Sequence, residues 1–424
     1  MLNDASGADA LSDQGRLIRD GSPSPSRASQ RGLDGFVFFA ADVQTGFGAF
    51  VAVYLTTQKW PQVDIGLILT IGSLVSLASQ IPGGAIIDVA RSTRRAAALA
   101  IIAIGASAFA IAAWPIFAMV LASRLVHAIA SSVLAPAIAA ISLSLVGRDA
   151  ISQRLGRNAS FASIGSGLAA AGMGACGYYL SSRAVFFVAA AMVAPALIAL
   201  YRIRAHEIDP ARPHGGRNKH NLGVSASGLH PLFANRPLRL FAGCAFLFCL
   251  ANAAMLPLAA SMLTLRSSQS ATILVATSIV VPQFIVAALS PGVGRKAQQW
   301  GRRPLLVLAF GALSIRGVLF ALVVNPELLV AVQFLDAISA AVLGVLVPLT
   351  VADVSRGTGH FNLAQGVIGC AVGIGAAVST AIVGYLNDRF GSQTAFVTLA
   401  CIAAFGFAFV WMVMPETRPR GNSN

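Results

Sequence analysis

His127-Ala128-Ile129-Ala130-Ser131-Ser132-Val133-Leu134 and Asp336-Ala337-Ile338-Ser339-Ala340-Ala341-Val342-Leu343 agree at four of eight positions, and the remainder exchange small residues except His127 for Asp336. The register that aligns them, close to 208 residues, also lays Arg94-Arg95 on Arg302-Arg303, Asp42 on Asn252 and Gly177-Tyr178 on Gly384-Tyr385. The second half of the chain is therefore a copy of the first. Both octets lie inside long apolar runs. Duplicated sets of apolar spans are a common way to build a binding site at the interface between two halves.

Composition gives those runs their solvent. Hydrophobic residues make up 56% of the chain, charged residues 11%, and mean hydropathy is +0.74. That is more apolar surface than a water-soluble core can hide, so the chain reads as an integral membrane protein. The net charge of +14 is dispersed between apolar runs, which argues against a nucleic-acid partner. All five cysteines (Cys176, Cys244, Cys249, Cys370, Cys401) fall inside apolar runs without metal-ligand spacing, and read as small packing residues.

Twelve runs are each long enough to cross about 30 Å of hydrocarbon. They cover roughly 33–57, 64–87, 95–113, 115–146, 156–179 and 183–204, then 237–263, 271–292, 303–323, 327–352, 361–387 and 392–414. The predicted fold is all-α, with twelve transmembrane helices in two pseudo-symmetric six-helix halves, 31–204 and 237–416. A polar Ser/Gly/Asp/Arg-rich tail (1–30), a central loop (205–236) and a short tail (417–424) complete it. The first tail lacks the apolar core of a cleavable signal peptide. Twenty-four Lys and Arg fall on the side of the N-terminus and four (Lys59, Arg183, Arg266, Arg389) on the other. This bias places both termini in the cytoplasm of a multi-pass cell-membrane protein.

Charges inside spans are costly, about 2.5–3.5 kcal/mol on insertion scales, and mark function. Asp42, Arg124, His127, Arg316 and Asp336 qualify. Arg316 lies nine residues before Asn325 and Asp336 ten after Pro326, which sets both about 14 Å deep and able to pair. Arg316 has Ala108 as its counterpart, so the pair is not a relic of duplication. Either it is a structural ion bridge or it takes part in coupling. Asp42 sits in the polar, Gly-rich stretch Ala41–Gly48. Burial and a nearby guanidinium act on a carboxyl's protonation in opposite directions, as a proton carrier requires. The structural alternative is a fixed Asp42–Arg124 ion pair. His127, one turn from Arg124, either relays protons or hydrogen-bonds a neighbouring helix. Gln44, Phe47, Asn252, Gln283 and Gln365, with Phe39, Phe161 and Phe246, are candidates for the wall of a substrate cavity. His206, His214, His220 and His230 lack zinc spacing, and no metal or catalytic constellation is read.

The chain resembles the major facilitator superfamily over nearly all of its length after the tail. Besides the six-plus-six plan, the resemblance rests on Gly84, Asp88, Arg91, Arg94 and Arg95 between spans 2 and 3, and on the degenerate copy Gly301-Arg302-Arg303, where Gln298 replaces the acid. Arg124 to Ser131 in span 4 adds a third motif, with His127 where Gln is common. The family implies alternating access and a cytoplasmic latch formed by Asp88 and the arginines, with only the first copy charged. An acid in span 1 and an arginine in span 4 resemble the proton-coupling pair of family antiporters, which suggests proton-driven export of a small organic solute by Asp42, Arg124 and His127. Arg91 replaces a usual Gly, and the span 5 Gly-Pro of many antiporters is absent, so uptake by symport is the alternative. The expected energy source is a proton gradient without a cofactor, the expected partners are a small-molecule substrate and the lipid bilayer, and the protein is expected to act as a monomer.

Overall fold

Segments with window hydropathies of 1.6 to 2.3 cannot leave backbone groups unpaired in lipid, and a helix satisfies each of them within its own length. The computed structural model describes residues 25–45, 47, 49–209, 212, 234–266, 271–356 and 360–418, and among these every regular element is helical. Most of the expected N-terminal tail, most of the central loop, Gly46, Gly48 and residues 419–424 lie outside the described residues.

The first half comprises α1 (Arg27–Thr45), α2 (Ala49–Thr57), α3 (Gln62–Val89), α4 (Thr93–Ala113), α5 (Phe117–Tyr179), α6 (Ala184–Ala191) and α7 (Val193–Tyr201). The second comprises α8 (Arg236–Asn252), α9 (Met255–Arg266), α10 (Ala271–Trp300), α11 (Arg303–Leu322), α12 (Pro326–Val354) and α13 (Phe361–Val413). Ten continuous lengths are long and apolar enough to span a bilayer. Two of them are too long for one crossing: α5 has 63 residues and α13 has 53, about 95 and 80 Å at helical rise. Each contains one glycine with positive φ, Gly147 at 72° and Gly391 at 82°, a region costly for any residue with a Cβ. The chain breaks there, and reading both breaks as reversals turns ten lengths into the twelve expected spans.

Several boundaries differ from expectation, among them the end of span 8, where α10 runs on to Trp300 past the expected 292, and span 6, which is divided at Met192 into α6 and α7. The loop expected over 147–155 is helical from Arg148 onward, because Gly147 alone makes the turn. The first helix starts at Arg27, within the expected tail, because Ser26 donates its N–H (3.0 Å) and hydroxyl (3.1 Å) to Glu207 and so anchors the helix start. Spans 1 and 7 are each in two pieces, α1/α2 and α8/α9, broken around residue 47 and at Ala253–Ala254.

Across the halves α5 packs on α10 and α3 on α13. Small residues set the closeness of these crossings. A Cβ on Gly156 would stand 2.6 Å from the Ser290 carbonyl oxygen, and one on Gly294 2.5 Å from that of Ser152.

Candidate functional site

A cavity of about 770 Å³ lies between the halves. Its walls come from α1 (Ala41, Gln44, Thr45), α3 (Gln80), α5 (Pro136, Asn158), α8 (Phe248), α12 (Pro348) and α13 (Gln365) among others, and none of the lining residues is charged. Of the expected wall residues, Gln44 and Gln365 line it. Phe47, Asn252 and Gln283 do not, nor do Phe39, Phe161 and Phe246; Phe248 supplies the aromatic surface instead. The Gln365 side-chain nitrogen is buried without a hydrogen-bond partner among the described residues.

The in-span charges form two constellations, one beside each broken helix. In the first half Asp42 occupies the last turn of α1 and makes no hydrogen bond or ion pair among the described residues. Arg124 is not brought to it. Arg124 Nη1 instead donates to the Phe47 carbonyl in the α1/α2 break at 3.0 Å; its Nε, which would stand 3.4 Å from a Cβ on Gly72, has no partner among the described residues. The separation follows from depth: Asp42 lies fifteen residues before Thr57 and Arg124 seven after Phe117, about 22 and 10 Å from that end of their helices. His127 stacks on Phe47 (centroids 3.8 Å apart, planes at 15°), with Nε2 3.3 Å from the Ser131 hydroxyl.

In the second half Arg316 is 1% exposed. It donates to Asn252 Oδ1 at 2.5 Å, Asp336 Oδ1 at 2.6 Å and Gln333 Oε1 at 3.0 Å. Asn252, Gln333 and Asp336 are the counterparts of Asp42, Arg124 and His127 in the repeat. One arginine from α11 thus gathers the duplicated set that the first half leaves apart. Asn252 ends α8, and Ser379 Oγ accepts the N–H of Ala254 at 3.2 Å in the adjoining break. Arg124 thus takes up a backbone carbonyl in one break and Ser379 a backbone N–H in the other, as discontinuous spans require, while Arg316 holds the Asn252 side chain at the edge of the second.

At the arginine-rich end the halves are bonded to each other. Asp88, 7% exposed, accepts from Asn362 N–H (3.2 Å), Asn362 Nδ2 (2.8 Å) and Leu363 N–H (2.9 Å). A carboxylate from the first half therefore caps the start of α13 in the second, where free amides and the helix dipole favour negative charge. Gly84 permits this, since a Cβ there would overlap the Asn362 carbonyl. Arg94, grouped with the latch by sequence, donates to the Ile203 carbonyl at 2.6 Å and lies over the Tyr201 ring. Arg91 and Arg95 flank the start of α4, where Ser92 caps the Arg95 N–H. In the second copy Gln298, which replaces the acid, still bridges the halves: it donates to the Asp149 carbonyl at 2.6 Å and accepts from Gln153 at 3.1 Å. Arg148 adds a bond to the Ala352 carbonyl at 2.5 Å. Gly301 adopts φ +96°, and the N–H groups of Arg302 and Arg303 donate to the Glu416 carboxylate (2.9 and 3.1 Å). The Arg302 guanidinium pairs with Asp353 at 2.8 Å.

Sequence reasoning missed a buried cluster below the cavity. Asp34, 3% exposed, takes Arg154 at 2.5 Å and Arg157 at 2.5 Å, while Arg154 also binds Asn158 (2.8 Å) and Asn158 binds Ser142 (2.7 Å). The signal was present: Asp34 falls inside the first apolar run, and Arg154 and Arg157 are three apart, on one helix face.

A sequence profile described as Major Facilitator Superfamily matches residues 35–326 and 241–424. Uncharacterized MFS-type transporters of Mycobacterium tuberculosis, strains CDC 1551 / Oshkosh and ATCC 25618 / H37Rv, are 36% identical over 401 residues, covering 91% of this chain and 93% of theirs. Similar solved folds include the human organic anion transporter TETRAN (TM-score 0.68, 17% identity, 91% of this chain and 100% of that one). Another is the E. coli fucose:proton symporter FucP (TM-score 0.72, 15% identity, 90% and 97%).

Proposed function

The chain belongs to the major facilitator superfamily, and from that premise we propose that it is a secondary active transporter which exports a small organic solute in exchange for protons. The observation that carries this reading is the 770 Å³ cavity between the halves, which are bonded together at the arginine-rich end through Asp88 and Gln298, with the unpaired Asp42 on the helix that forms one wall. With the arginine-rich loops in the cytoplasm, the bonded end is the inner one and the state is outward-facing. Breaking the Asp88 cap on α13 and the Gln298 bridge would open the inner end while the outer end closes, which is alternating access as rocking of two halves.

Asp42 is the group that carries the proton. A carboxylate half-buried in a span without a partner is costly, whereas its protonated form is not. Proton uptake from the outer side therefore stabilises this state, and release to the cytoplasm follows opening of the inner end. Arg124, held by the Phe47 carbonyl here, is free to change partner when the α1/α2 break rearranges. The uncharged wall suits a neutral, partly apolar solute with carbonyl or hydroxyl groups, for which Gln44, Gln80, Asn158 and the unsatisfied Gln365 nitrogen supply hydrogen bonds.

The test is proton release from acid-loaded everted vesicles on addition of a panel of neutral and weakly charged drugs and metabolites, for the protein and for Asp42→Asn. Release triggered by one compound class and lost in the variant supports antiport through Asp42. Proton uptake with solute instead of release would replace export with symport. Solute movement equal in both proteins and indifferent to the gradient would remove proton coupling altogether.

A further inference from the structure

A second cavity, of about 890 Å³, lies away from the transport path, on the outer surface where α11, α12 and α13 meet. Val307, Leu308 and Ile315 of α11, Leu335 and Ile338 of α12, and Phe407 of α13 make it almost wholly apolar. Its depth comes from Gly311, where the missing side chain leaves the Phe407 ring 3.6 Å from a would-be Cβ. Two tryptophans, Trp300 and Trp411, frame its arginine-rich end and are 55% and 59% exposed, as aromatic side chains at a lipid headgroup level are. From Arg303 to Ile315 the groove follows twelve residues of α11, about 18 Å at helical rise and close to the depth of one leaflet.

The mouth is cationic. Arg303 lines the groove, Lys296 Nζ sits 4.3 Å from the Trp300 ring, and Arg418 donates to the Gln299 carbonyl beside it. No carboxylate pairs with Arg303, Lys296 or Arg418 side chains among the described residues. The nearby Glu416 is occupied by the backbone N–H groups of Arg302, Arg303 and Arg418. The repeat does not require this feature: 208 residues earlier, Trp300, Phe407 and Trp411 correspond to Ser92, Ala199 and Ile203.

We propose that this groove binds one anionic glycerophospholipid of the leaflet on the arginine-rich side, with an acyl chain along Gly311 and the phosphate against Arg303, Lys296 and Arg418. Charge complementarity selects the headgroup, since basic pockets between spans attract acidic lipids, and the length of the groove selects a chain that lies along one leaflet.

Native mass spectrometry of the full-length protein, released from detergent with equal phosphatidylglycerol and phosphatidylcholine of identical chains, tests this directly. One bound phosphatidylglycerol is expected, preferred on the order of tenfold. Lys296→Ala with Arg303→Ala should bring the preference close to parity, and Gly311→Leu should displace either lipid by filling the groove. Ile315→Trp, at the exposed deep end, repeats the block should Gly311→Leu fold poorly. Equal retention of the two lipids by the unaltered protein would overturn the headgroup assignment. Retention unchanged by both groove-filling variants would overturn the site.

Discussion

Arg316 is a full charge at 1% exposure, and it is tolerated because three oxygens on two other helices receive it. Removing one partner leaves the charge uncompensated. Asp336→Ala should therefore cost about 3–5 kcal/mol, read as a large fall in the thermal midpoint of the purified protein. Arg316→Leu combined with Asp336→Leu should recover most of that loss; a double variant as unstable as the single one would show that packing, and not charge, sets the cost. Depth alone made this pair legible, because helical rise from a shared turn fixes how far each residue lies in the membrane. Asp42 and Arg124 share no such turn, because their helices start at different ends, and the structure leaves them apart. Asp34 stayed hidden for another reason. Arg154 lies in the expected loop 147–155 and Arg157 at the very start of the next span, so their charge reads as topogenic when it is spent on a buried carboxylate.

Helices were readable from hydropathy, while their interruptions were not, since a break survives only where distant side chains take up the freed backbone groups. Arg124 on the Phe47 carbonyl and Ser379 on the Ala254 N–H are such partners, far away in sequence. The start of α1 depends on a similar contact. Burial of Glu207 works to raise its pKa, but hydrogen bonds from Ser26 and Ser29 and the charge of Arg204 outweigh it, and the carboxyl lies below its usual range. A group depressed on folding contributes stability above its unfolded pKa and loses it as pH falls through the folded value. Acidification below the ordinary glutamate range should therefore loosen the start of α1, seen as faster amide exchange over residues 27–33. Glu207→Gln should show that faster exchange already at neutral pH and little further change on acidification. Exchange in the variant that matches the unaltered protein at every pH would remove Glu207 as the anchor.

Duplication makes the halves alike in plan, but Gln298 stands where the second copy would carry an acid, and the seam between the halves is unequal. One latch is ionic, Asp88 on the amides of α13; the other is neutral, Gln298 on the Asp149 carbonyl. Hydrogen bonds to a charged group are worth about 1.5–3 kcal/mol against roughly half that for neutral ones, so the Asp88 contact should dominate the balance between the two ends of the transport cycle. Asp88→Asn keeps the shape and removes the charge. Losing about 1.5–3 kcal/mol corresponds to a ten- to hundredfold shift in a two-state equilibrium, whereas Gln298→Ala should shift it several-fold at most. Spin labels at Arg95 and Arg356, one on each half and exposed at this end, report that balance in a double electron-electron resonance experiment. The unaltered protein should give a short distance, and Asp88→Asn a substantial longer component. If Gln298→Ala opens the seam as far as Asp88→Asn does, the closure is held by the close glycine crossings and their neutral bonds, with no special part for the carboxylate.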